Sequence, residues 1–346
     1  MLNLLMRIQL SIIYLIMVAL SANSSYAEDV TSYSTEVSFS SQKVSPISHH
    51  GQLSVVGKHI QDANKKIISL AGLSLFWSNT GWGQERFYNV EAVDEFAQKW
   101  KAGIIRVAMG AQGQGSYLKD KKSNLSKITK VIDAAIANEI YVIVDWHSHQ
   151  AEQNISEAIE FFTFIAKKYG ETPNVIYEIY NEPLANTSWE LTVKPYSKTV
   201  INAIRKIDPD NLIIVGTPSW SQDVDIAADK PILGHHNLLY ALHFYAASHK
   251  SELRKKAQYA ISRGLPIIIS EWGTVSYDGD GLVDEESTLE WMKFIREHNL
   301  SHLNWAVSDK DEAASIFKPG VSSEGPWSTQ DLTLSGKLVK NILLEW

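Results

Sequence analysis

The sequence predicts a (β/α)8 barrel, and three observations predict it. Eight short apolar runs of strand character alternate with amphipathic helical stretches along most of the 346 residues, the order that a closed parallel sheet requires. With 45% apolar content, the chain can bury one large core. The polar residues that interrupt the apolar runs collect at their C-terminal ends, where such a barrel gathers its function. A doubly wound sheet is the alternative, but Gly72-Leu73-Ser74-Leu75 lacks the Gly-rich first turn that those sheets use.

In chain order, residues 1–27 carry one basic residue, Arg7, then the apolar run Ile8 to Leu20 and the small-x-small Ser25-Tyr26-Ala27. This pattern predicts an export signal, too short to span a membrane. The mature chain is therefore expected to be secreted, extracellular or periplasmic, and free of the membrane. Residues 28–45 are expected to be a flexible leader. From Glu28 to about His50, Ser32, Ser34, Ser38, Ser40, Ser41, Ser45 and Ser48 crowd the sequence and aliphatics are few.

One domain is expected over 46–346. It opens with a hairpin between Gly51 and Lys66. The strands follow at Ile67–Phe76, Gly103–Met109, Tyr141–Trp146, Val175–Asn181, Leu212–Gly216, Leu238–Phe244, Pro266–Glu271 and Ser301–Val307. Helical periodicity lies between them, as in Ile128, Val131, Ile132, Ala135 and Ile136. Gly103, Gly170 and Gly264 are placed where helices should stop.

Composition excludes several functions. Net charge is −7 with lysines and arginines scattered, which argues against nucleic acid or an anionic membrane as partner. There is no cysteine, hence no disulfide and no thiolate chemistry. The 11 tryptophans exceed what a core needs and suit stacking on sugar faces. Trp100 and Trp291 fall in helical patterns and are assigned to the core.

The strand ends carry the chemistry: Arg106, Asp145-Trp146-His147-Ser148-His149, Asn181-Glu182, His243-Phe244-Tyr245, Glu271-Trp272 and Asn304-Trp305. Two buried strands close on glutamates, Glu182 and Glu271, each followed by a backbone-specialised residue, Pro183 or Gly273. Ionised groups are costly to bury without partners, so the two glutamates are expected to face one site. Strand alternation puts Glu178 on the face of Glu182, deeper in the barrel, with a structural pairing; Asp145 likewise reads as scaffold. His147 and His149 share a face and open a rival class, a metal-dependent barrel hydrolase. The strand Leu212–Gly216, without a ligand, disfavours it.

Ile179-Tyr180-Asn181-Glu182-Pro183 and Ile269-Ser270-Glu271-Trp272-Gly273 resemble the two catalytic signatures of glycoside hydrolase family 5. Arg106-Val107-Ala108-Met109, Asp145-Trp146-His147-Ser148-His149, the stretch Gly216 to Val224 and His243-Phe244-Tyr245-Ala246 resemble its bacterial endo-β-1,4-glucanase branch. The opening Ser74 to Gly83 resembles a cellulase subgroup.

The resemblance implies a retaining enzyme without metal or cofactor, acting on β-1,4-glucan polysaccharide and expected as a monomer. Glu182 would be the acid/base and Glu271 the nucleophile. Arg106 would keep Glu271 ionised, Tyr245 would donate to the same carboxylate, and His147 and His243 would order the groups around the cleavage point. Asn181 would bond the sugar 2-hydroxyl. Trp305 would floor the cleaved sugar, Trp220 would be the platform on the leaving-group side, and Trp82 one on the far non-reducing side, near Lys310 and Glu312. Many relatives carry histidine where Phe76 stands. Glu182, flanked by aromatics and an amide, is expected to have a raised pKa. An endo-β-mannanase, a mixed-linkage glucanase and a non-catalytic carbohydrate-binding protein are the remaining alternatives.

Overall fold

The computed structural model describes residues 45–346, so the signal expected at 1–27 and all of the leader except Ser45 lie outside the described residues. Ser45 and Ser48 do not behave as leader. Ser45 Oγ accepts from the Ser48 N–H at 3.1 Å and Ser48 Oγ accepts from the Ser45 N–H at 3.0 Å, a capping box on the helix Pro46–His50. The Ile47 N–H then donates to the Glu139 carbonyl at 3.0 Å, so the short helix is docked. Serine-rich composition conceals capping chemistry because the same hydroxyl serves both.

β1 (Ser54–Val56) and β2 (His59–Gln61) form the expected hairpin. All eight expected barrel strands follow: β3 (Ala71–Leu75), β4 (Ile104–Gly110), β5 (Tyr141–His147), β6 (Val175–Glu178), β7 (Ile213–Val215), β8 (Leu238–Tyr245), β9 (Ile267–Gly273) and β10 (His302–Val307). They pair in parallel and close, β10 against β3.

Alternation along these strands sorts the side chains into two layers. Outward residues such as Val107, Val144, Tyr177 and Val215 join a cluster with helical residues including Ile128, Val131, Ile132 and Phe161. Inward residues near the strand starts, among them Ile104, Ile143, Ile176, Ile214 and Ile268, form a second apolar cluster. Leu53 and Ile60 of the hairpin segment belong to it, so the hairpin plugs the N-terminal mouth. One step along each strand the inward face turns polar, with Arg106, Asp145, Glu178 and His243, all buried.

Of the three glycines expected to stop helices, only Gly264 does so with a left-handed backbone, φ +86°. Gly170 caps its helix in ordinary helical geometry, φ −64°. Gly103 only precedes β4, and Lys101 takes the left-handed turn instead, φ 59°. Among the described residues no helix is long and apolar enough to cross a membrane.

β9 departs from regular pairing where the chemistry sits. Ala241 of β8 faces Ile268, yet His243 faces Glu271, so β9 carries one residue more than its neighbour. The register against β10 shifts at the same place. Such a bulge re-aims side chains. Here it lets consecutive residues, Ser270 and Glu271, both reach the barrel interior, which an unbroken strand forbids.

Candidate active site

Arg106 is the hub. Its Nε donates to Glu178 at 2.6 Å, Nη1 to Glu271 at 2.9 Å and to Ser74 Oγ at 3.2 Å, and Nη2 to Asn181 Oδ1 at 2.6 Å. Nη2 also lies 2.9 Å from Asp145. Burial opposes the guanidinium charge, but Asp145, Glu178 and Glu271 outweigh it and push the Arg106 pKa up. One side chain therefore makes the expected contact to Glu271 and a buried ion pair deeper in the barrel.

Glu271 accepts on both oxygens, from Arg106 and from the Tyr245 hydroxyl at 2.8 Å, as the resemblance implied. Burial and Glu271 raise the Tyr245 pKa, so its hydroxyl stays a donor. Gly273 permits this approach, because a Cβ there would stand 2.4 Å from the Tyr245 ring. Glu178 takes the deep structural pairing predicted for it. Burial works against its charge, yet Arg106 and His243 bring its pKa down to about 2.

His147 is neutral: burial, then the charge of Arg106, lowers its pKa to about 3. With Nδ1 donating to Asp145 at 2.6 Å, its Nε2 is left as acceptor toward Asn181 Nδ2 at 3.5 Å. Asn181 is thus oriented from both ends. Burial, with Glu178 adding, holds Asp145 well above the usual carboxyl range despite Arg106.

Glu182 overturns one expectation. Burial does favour its neutral form, but His149 Nε2 at 3.2 Å and His243 Nδ1 at 2.9 Å override it and hold the carboxyl below the usual range. The aromatics and amide around it were visible in the sequence; the two converging histidines were not. His243 is raised to about 9, since bonds to Glu178 and Glu182 outweigh its burial. Its Nε2 meets Ser270 Oγ at 2.9 Å, which donates to Glu178 at 2.5 Å. A continuous line of hydrogen bonds therefore joins Glu182 to Glu271 through His243, Ser270, Glu178 and Arg106.

One oxygen of Glu182, one of Glu271 and a ring nitrogen of His243 lie within 4.8 Å of one another. Among the described residues this is the set that could gather around a cation, and neither His147 nor His149 belongs to it. Arg106 and the two histidines already occupy its acceptors, so the donor set fits protons better than a metal ion.

Two cavities flank the glutamates. One of about 440 Å³ is lined by His149, Glu182, Trp220, Gln222, His249 and Tyr277, among others. The other, about 190 Å³, is lined by Phe76, Trp77, Glu271, Trp305, Glu312 and Tyr277, among others. Trp305 is buried and stacks parallel to His147, with ring centroids 5.2 Å apart. Trp82 stacks on Trp77 at 5.5 Å and is 42% exposed. Lys310 pairs with Glu312, its ammonium 5.8 Å from the Phe76 ring. Trp100 and Trp291 are core, as assigned.

Trp220 is 43% exposed and stands on an unusual turn. Ser219, Trp220 and Ser221 have φ of 57°, 55° and 55°, three left-handed residues in succession. Each costs about 1–2 kcal/mol for a residue with a Cβ. The turn is tied to the segment bearing Glu182: the Trp220 N–H donates to the Pro183 carbonyl at 2.8 Å and Ser221 Oγ to the Asn181 carbonyl at 2.7 Å.

Sequence reasoning missed Trp77, His249 and Tyr277, and weighed His149 only as a metal ligand. The Phe76-Trp77 pair was the available signal, since one of two adjacent aromatics past a strand end must turn to the groove. Nothing comparable marked His249 or Tyr277.

Residues 61–311 match the family model described as Cellulase (glycosyl hydrolase family 5). Endoglucanase Z of Dickeya dadantii is 52% identical over 294 residues, covering 85% of this chain and 66% of that protein. An endoglucanase of Clostridium saccharobutylicum is 43% identical, covering 84% of this chain and 64% of that protein. The chain thus spans about two thirds of the length of these curated relatives. Among solved structures, the catalytic domain of Thermobifida fusca endoglucanase Cel5A in complex with cellotetraose superposes with a TM-score of 0.82 at 33% identity, covering 87% of this chain and 99% of that one. The barrel, the paired glutamates and these matches agree, and the chain belongs to glycosyl hydrolase family 5.

Proposed function

We propose that the chain is an endo-β-1,4-glucanase that works with retention, Glu271 as nucleophile and Glu182 as acid/base. One observation carries the mechanism: oxygens of Glu182 and Glu271 lie within 4.8 Å of each other. Retaining enzymes hold their carboxyl groups roughly 5–5.5 Å apart, whereas about 6.5–9.5 Å is needed to admit a water for inversion. Relatives named endoglucanases, one of them solved with cellotetraose, support a β-1,4-glucan as substrate. Export through residues 1–27 and one catalytic domain over 46–346 complete the proposal.

Attack by Glu271 on the anomeric carbon forms the glycosyl–enzyme bond as the leaving oxygen takes a proton from Glu182; water, deprotonated by Glu182, then cleaves that bond. The proton is stored in the Glu182–His243 pair, one hydrogen bond of 2.9 Å from the carboxylate that delivers it. Proton NMR of the first products from cellopentaose should show the β-anomer ahead of mutarotation. Initial α-anomer would refute retention, and no cleavage would refute the activity.

The pair also sets a pH dependence. The transferable proton is present while His243 is charged and is lost as pH rises through its raised value, about 9. The alkaline limb of kcat/KM should therefore fall near pH 9 rather than in the carboxyl range. In His243→Asn, which leaves Glu182 without this partner, the limb should move to lower pH. An unmoved limb would assign it to another group.

A further inference from the structure

Tyr277 is the most solvent-exposed aromatic residue on the cleft, at 71%. It lines both cavities, a position shared only with His149, Glu182 and Tyr245 among the residues that form them. Those three are tied into the hydrogen bonding of the glutamates. Tyr277 is not: its ring stacks on no described aromatic residue, and its hydroxyl has no hydrogen-bond partner among the described residues.

The backbone that presents it is braced on both sides. The Tyr277 N–H donates to Ser248 Oγ at 3.1 Å, and Ser248 meets Ser276 Oγ at 3.0 Å. On the other side the Ala314 N–H donates to the Gly279 carbonyl at 2.8 Å, and the Ala313 N–H to Asp280 at 3.3 Å. Within the turn, the Ser276 N–H reaches the Asp280 carbonyl at 3.1 Å. A rigid amphipathic ring, held out over a groove with nothing to pack on, loses little entropy when a flat partner arrives.

Taking the cleft as the β-glucan site proposed above, we infer that Tyr277 is a specificity-determining lip that contacts the sugars on both sides of the bond to be cut. Trp220 lies in the cavity beyond it on one side, and Trp305 with Glu312 in the cavity on the other. A chain reaching from one cavity into the other passes the ring. Tyr277 therefore favours substrates that fill both sides over those that fill one.

The test compares cellopentaose, which can fill both sides, with β-cellobiosyl fluoride, whose leaving group is not a sugar. Tyr277→Ala should lower kcat/KM on cellopentaose by about 3- to 10-fold, the range of one aromatic contact, and lower it less on the fluoride. Tyr277→Phe, which keeps the ring, should stay within about twofold of wild type on both. Because the ring is exposed, the Tm of Tyr277→Ala should match wild type. Equal losses on the two substrates, or none on cellopentaose, would overturn the inference. Wild-type protein that cleaves neither substrate would overturn the glucanase reading instead.

Discussion

Glu182→Ala and Glu271→Ala should both lose polymer hydrolysis, yet azide should revive them to opposite anomers. Removing Glu182, the proposed acid/base, should cost about 10²–10⁴-fold on cellulose derivatives, the usual contribution of a positioned proton donor. An activated aryl cellobioside needs little protonation, so Glu182→Ala should still form the covalent intermediate and stall there. Azide needs no general base, enters the space left by the carboxylate and releases the β-glycosyl azide. In Glu271→Ala that intermediate cannot form, and the loss should be larger still. Azide then attacks from the vacated side and gives the α-anomer. The α-azide from Glu182→Ala would reverse the assignment, and two unimpaired variants would remove both residues from the mechanism.

Arg106→Met should be the most destabilising single change in the barrel. Three carboxyl groups, those of Asp145, Glu178 and Glu271, surround the guanidinium within 2.9 Å, all of them buried. Deleting one partner of a buried ionic cluster costs about 3–5 kcal/mol, because the remaining charges lose their compensation. The pH dependence has a definite sign. Glu178, depressed to about 2, contributes stability that is present above its unfolded pKa and is lost as pH falls through about 2. Without Arg106 that contribution disappears, so the deficit against wild type should be greatest at neutral pH and narrow as pH falls from the unfolded value of 4.5 toward about 2. Urea midpoints across that range measure it. Arg106→Lys, which keeps the charge but not the planar fork, should recover part of the loss. A midpoint for Arg106→Met within about 0.5 kcal/mol of wild type, the scale of an ordinary surface change, would show that the cluster compensates without its centre.

What the sequence made legible follows from periodicity. The eight barrel strands, the hairpin and the helical faces all obey period 2 or 3.6, and all were found. So was the deep pairing of Glu178, which strand alternation fixes, whereas the convergence of Arg106 and Tyr245 on Glu271 was implied by the family resemblance alone. The misses lie where the period breaks. No pattern reveals that β9 carries an extra residue, and hence that Ser270 joins Glu271 inside the barrel. The proton affinity of Glu182 depends on His149 and His243, brought to it from two other strand ends. Trp77 and Tyr277 stand past the ends of β3 and β9, where alternation no longer dictates direction. Among the helix stops Gly103 failed for a related reason, since a glycine shows only that a left-handed turn is permitted and Lys101 takes it there instead.

The left-handed turn at Ser219–Ser221 constrains how this enzyme could be remade. Its hydrogen bonds end on the carbonyls of Asn181 and Pro183, the residues on either side of Glu182. An engineer who exchanges this turn for that of another enzyme, hoping for a new leaving-group preference, also removes two braces from Glu182, the proposed proton donor. Here the transferable module is discontinuous, residues 181–183 together with 217–222, and substrate preference on that side should change in heredity and in the laboratory only when both parts change together.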